Sequence, residues 1–127
     1  MSGREPFAYA LLRIIPDVER GEGVNAGVVL FCRGRDFLAL RSAVPVNKLA
    51  ALRAEVDLDA LSSHLRALEM IAAGDPAGGP VASAPASARF HWLVAPTSTI
   101  VQPSQVHTGL CAEPAETLQK LFQQLVA

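Results

Sequence analysis

This chain of 127 residues is short of charge. Lys, Arg, Asp and Glu together make up 18% of it, with 11 basic and 12 acidic side chains and a formal net charge of −1. There is no basic field or cluster to neutralise phosphates, which argues against nucleic-acid binding. It has no long apolar run: nothing approaches the ~20 residues that cross a bilayer as a helix. The opening run "FAYALL" is broken by Arg13 and has no basic leader with a cleavage site, so it is not read as a signal peptide. The expected setting is soluble and cytoplasmic, with no membrane association. Cysteine is scarce. Cys32 and Cys111 lie far apart in sequence and are expected as two independent reduced thiols. The three histidines, His64, His91 and His107, have no second ligand at helix or hairpin spacing, so no metal site and no cofactor is expected. "GEGVNAG" has neither the dinucleotide spacing nor the phosphate-loop lysine, and Glu22 would repel a phosphate.

Apolar residues are abundant, at 50% of the chain. A chain of this length and composition can bury a core without staples. The excess also leaves room for an oligomer contact.

Residues 7–15, "FAYALLRII", read as a strand apolar on both faces except at Arg13, ended by Pro16. Residues 24–32, "VNAGVVLFC", read as a second, with Asn25 and Gly27 interrupting its pattern. Residues 37–41, "FLALR", follow a tight turn and complete a meander. The period then lengthens to that of a helix. Asn47 is expected to cap a short helix bearing Leu49, Leu52 and Val56. Asp57 is expected to cap a longer one with a stripe of Leu58, Leu61, Leu65, Leu68 and Ala72, stopped by Gly74. Residues 74–88, rich in Gly, Pro, Ala and Ser, read as a flexible surface linker inside a single domain spanning 1–127. Residues 89–95 fit strand or helix, and a short helix is the preferred reading. A strand is expected over 97–102, and a final helix opens at Glu113 and Pro114, with Leu118, Leu121, Phe122, Leu125 and Val126 on its apolar face. The order implies an α+β fold: an antiparallel sheet of about four strands with helices packed mainly on one face.

Two regions concentrate polar chemistry. Arg13, inside an apolar strand, must snorkel or find an acceptor. Asp17 lies in the eight-residue charged segment that follows. In "STIVQPSQVHTGL" the groups Ser98, Gln102, Ser104 and His107 exceed what one turn requires. If the late strand pairs beside the first or second, these could converge with Arg13 and Asn25 on an anionic or peptide-like ligand. The alternative is plain: Ser104 and Thr108 satisfy an irregular turn, and the charged segment is a solvated loop.

"YALLRIIPDVERGEGVNAGVVLF" and "STIVQPSQVHTG" together resemble a bacterial family designated domain of unknown function 3037. The matching positions are Tyr9, Arg13, Pro16, Asp17, Arg20, Gly21, Glu22, Asn25, Gly27 and Val28, then Ser98, Gln102, Pro103, Ser104, His107 and Gly109. The resemblance implies no activity. It implies an accessory protein whose neighbours resemble toxin-type serine/threonine kinases. The leading expectation is a non-enzymatic binding module for a protein partner, kinase-like on that association. The alternative is a small hydrolase or phosphoryl-handling enzyme, with Arg13 holding an anion and His107 as general base. It requires the two within ~10 Å of each other, so that one substrate group can reach both.

Overall fold

A computed structural model describes residues 3–97 and 99–127. Strands β1 (Glu5–Ile14), β2 (Val24–Cys32) and β3 (Phe37–Ser42) form an antiparallel meander. Helices α1 (Val46–Ala51), α2 (Leu58–Ala73) and α3 (Ala86–Leu93) follow. The chain then returns as β4 (Val101–Pro103) and β5 (His107–Cys111), and closes with α4 (Pro114–Leu125). The sheet has five strands. Its order is β3-β2-β1, with β4 and β5 lying end to end along the far side of β1. This is an α+β antiparallel fold.

Why β1 is central follows from its sequence. Its even residues Ala10, Leu12 and Ile14 are buried on one face, packed with Ala26, Val29 and Leu40 under Leu61, Leu65 and Leu68 of α2 and Phe90 of α3. Its odd residue Phe7 is buried on the other, packed with Val28, Leu30, Cys32 and Cys111 beneath Leu118 and Phe122 of α4. Helices therefore cover both faces. Most of the helices, α1 to α3, pack on one face and α4 on the other, because a strand apolar on both faces needs a cover on each.

The interruption at Asn25 and Gly27 is a β-bulge. Leu12 pairs with Gly27, but Arg13 pairs with Asn25, so Ala26 is the extra residue. The bulge changes which face the β2 side chains meet. Ala26 joins the α2 cluster while Val28 joins the α4 cluster. Gly27 sits close against β3, where an added Cβ would stand 3.2 Å from both the Arg41 carbonyl and Ser42.

The expected caps hold at α2. Asp57 accepts from the Ala60 N–H at 3.0 Å, and Gly74 ends the helix at φ 73°. At α1 the expectation fails. The helix begins at Val46 behind Pro45, and Asn47 lies within it. Val56 lies outside α1, because the chain turns at Arg53 in a left-handed conformation (φ 56°). Residues 74–88 hold two 3-10 turns (Pro76–Gly78 and Pro80–Ser83) with Ala82 buried. The Arg89 guanidinium fastens this segment to α2 by donating to the carbonyls of Ala84 (2.7 Å) and Ala72 (3.4 Å). Residues 89–95 are largely helical, as preferred.

The late strand is shorter than expected and is followed by one the sequence did not announce. Thr99 turns its hydroxyl onto the Val101 carbonyl, and the Gln102 amide onto that of Thr99, which holds 99–100 in a bend. Extended pairing resumes only at Val101. The ten-residue length of β1 then accommodates β5 as well. No described helix is long and apolar enough to cross a membrane.

Candidate functional site

The register of β1 decides which polar residues meet. Arg13 pairs with Asn25 of β2 on one side and with Gln102 of β4 on the other, so the three form a row across the sheet. The Arg13 guanidinium donates to the Asn25 side-chain oxygen (3.3 Å) and to the Gly23 carbonyl (3.2 Å). Asn25 in turn donates to the carbonyl of Leu125 at 2.9 Å. That carbonyl lies at the C-terminal end of α4, where backbone acceptors have no partner within the helix. Lys48 serves the next one, donating to Val126 at 2.8 Å. The polar row thus ties the bulge to the helix over it.

Ser104 is also engaged within the fold. Its hydroxyl accepts from the Leu11 N–H at 2.9 Å and donates to the Gln105 carbonyl at 2.8 Å, replacing a ladder bond between β4 and β5. His107 pairs with Tyr9, and their rings lie 5.2 Å apart. Tyr9 and Arg13 are four residues apart on one strand, about 13 Å at the usual rise. The register that joins Arg13, Asn25 and Gln102 therefore sets His107 apart from them. Asp17 stands outside the row. Its carboxylate accepts from the N–H groups of Glu19 (3.0 Å) and Arg20 (3.4 Å). It lines a small polar depression of about 190 Å³ with Arg20, Glu22 and Arg53. Ser98 lies outside the described residues.

The two cysteines are closer than their sequence separation implies. Both are buried, with sulfurs 3.9 Å apart, and both are free. Burial, then the hydrogen bond to Cys32, pushes the Cys111 thiol up from its ordinary pKa. A raised pKa keeps it protonated and weakly nucleophilic near neutrality. His107 lies four residues back along the same strand, about 13 Å away. The pair is not arranged as a nucleophile and its base. Among the described residues no three metal-ligating side chains come together.

The most ligand-like hollow is elsewhere, and sequence reasoning passed over it. Two cavities flank α2 beside the segment leading into β4: one of about 380 Å³ against α3, the other of about 400 Å³ against the residues that lead into α2. His64 and Thr99 line both. One is walled by Leu12, Leu68, Leu93 and Val101 with the half-exposed Trp92 at its side. The other runs past Leu61 and Val56 to Glu55 and Asp57. The available signal was the spacing of His64, Leu68 and Leu61 on one helix face, together with a tryptophan four residues before a proline.

The fold and its sites define a class: an α+β domain in which Arg13, Asp17, Asn25, Gln102 and Ser104 bond to its own backbone, beside an apolar groove open to solvent. The chain belongs to the family described as Protein of unknown function (DUF3037), whose model matches residues 9–126. No curated protein matches the chain. No solved structure matches it either.

Proposed function

We propose that this protein is a non-enzymatic binding module that takes up an apolar segment of a protein partner. The observation that carries this reading is the groove through His64. Its two halves have the volume and apolar lining of a ligand site, with few polar groups to fix orientation. Trp92 at its side is the residue type that most often anchors an interface. Glu55 and Asp57 at the far mouth favour a segment with a basic residue at that end. A toxin-type kinase-like protein, implied by the resemblance, is the first partner to try.

The enzyme reading asks Arg13 and His107 to hold one reacting group. Their strand positions lie about 13 Å apart, and Arg13 already donates to two acceptors of the fold. Both facts weigh against it.

The test is capture from native cells, with mass identification of what co-purifies, followed by titration of the identified segment while Trp92 fluorescence is read. The expected result is a specific partner whose affinity falls about tenfold or more in Trp92→Ala and His64→Ala, with the far-UV spectrum unchanged. Undiminished binding by both variants removes the groove from the account. Turnover by the purified protein that disappears in His107→Ala overturns the reading as a whole.

A further inference from the structure

β5 is a sheet edge. It pairs with β1 on one side and with no described strand on the other. Which backbone groups it leaves free follows from two facts. Pro6 pairs with Leu110 and has no N–H, so that pair exchanges no hydrogen bonds. Leu11, an odd residue of β1, bonds towards this side, to Ser104. The odd residues His107, Gly109 and Cys111 therefore bond to β1. Thr108 and Leu110 turn their N–H and C=O groups outward.

Such edges are normally blunted by charge, a bulge or proline. At the opposite edge of the sheet, β3 has Arg41, and its Ser42 N–H is taken by Glu69 at 3.1 Å. β5 has no such protection. No Lys, Arg, Asp or Glu occurs between Arg89 and Glu113. Of the six large apolar side chains most exposed among the described residues, three fall in this stretch: Trp92 (48%), Val106 (43%) and Leu110 (62%).

We propose that β5 pairs antiparallel with β5 of a second copy of this chain, across a two-fold axis at Thr108. A second copy fits this edge because the edge is self-complementary. Residues 106, 108 and 110 follow the period of two that puts them on one side. Their pattern, Val-Thr-Leu, is apolar at both ends about Thr108. The two-fold axis sets Thr108 opposite its own counterpart and Val106 opposite Leu110 of the second copy. The outward groups of Thr108 bond to their counterparts, and those of Leu110 to Val106. An uncharged surface meets its own copy without repulsion, which a charged edge could not do. The interface is closed, so it yields a dimer with one continuous sheet rather than a fibre.

Sedimentation equilibrium of the full chain, from low micromolar to submillimolar concentration, tests this. The wild type is expected to show a monomer–dimer equilibrium. Thr108→Lys and Thr108→Glu, at an exposed position, are each expected to be monomeric with an unchanged far-UV spectrum. Mixing them is expected to restore a one-to-one dimer that salt weakens, because the two charges then face each other about 5.5 Å apart at Cα. A wild type that stays monomeric throughout overturns the proposal. So does a dimer that survives Thr108→Lys, or a mixture of the two variants that does not pair.

Discussion

Arg13 and Asn25 illustrate how one misplaced charge can organise a contact between layers. A guanidinium in an apolar strand has to be satisfied where it stands. Here the bulge brings the Asn25 oxygen to it, and the Asn25 amide is left free to cap α4. Both functions end in Asn25→Ala. The Leu125 carbonyl then loses its donor, and Arg13 keeps only Gly23. The expected loss is about 1–3 kcal/mol of unfolding free energy, the usual effect of stranding part-buried polar groups. Gln102→Ala is the control in the same row. Among the described residues its amide reaches only the exposed Thr99 carbonyl, and the expected change is within about 0.5 kcal/mol. Urea denaturation of the two variants checks this. Equal effects would mean that the row is not the tie described. At this scale the sequence was legible in part. Arg13 was conspicuous because it broke an apolar run, and its link to Asn25 followed once strand pairing was known. That Ser104 and Asn25 serve backbone groups depended on where chain ends and strand gaps fall, and residue types do not carry that information.

Elements were legible where a local rule decides them. The three strands of the meander, the Asp57 cap and the Gly74 stop of α2 all lie within a residue or two of where alternation and capping put them. The start of α1 was misread because Asn47 is a good cap by type, while Pro45 already occupies that position. β5 was not visible at all. Its five residues, "HTGLC", include a glycine and no clean alternation, and it is a strand because β1 offers free groups to pair with. Gly109 has a specific reason to be there. An added Cβ would stand 2.8 Å from the Phe7 ring, and Phe7 is buried in the α4 cluster. Gly109→Ala must push that ring into a filled core. The expected cost is about 1–3 kcal/mol, as for other overpacking changes, measured as a lower midpoint in chemical denaturation. Thr108→Ala, one residue away with its side chain in solvent, should leave the midpoint nearly unchanged. A Gly109→Ala midpoint equal to that of the wild type would show that Phe7 has room to move, against the close packing drawn here.

At the scale of the molecule, the sheet is a partition shared by two cores. α2 and α3 cover one face and α4 the other. Each cluster is built on alternate residues of the same strands, so loosening β1 or β2 disturbs both. That shared wall favours cooperativity across the partition. It also explains why the cover of the second face is hard to read from the sequence. The apolar stripe of α4 resembles that of any amphipathic helix, and only the odd residues of β1 say which side it must cover. Phe122→Ala removes a buried ring from the α4 side, at an expected cost of about 3–5 kcal/mol. Trp92, the chain's single tryptophan, stands on α3, on the opposite side of the sheet. If the two cores unfold as one, the Trp92 fluorescence midpoint falls in Phe122→Ala as far as the far-UV midpoint does, and the transitions coincide. A fluorescence transition that stays at its wild-type position while the far-UV signal moves would mean that the α2–α3 core holds without the α4 core. The sheet would then be two loosely joined halves rather than a shared wall.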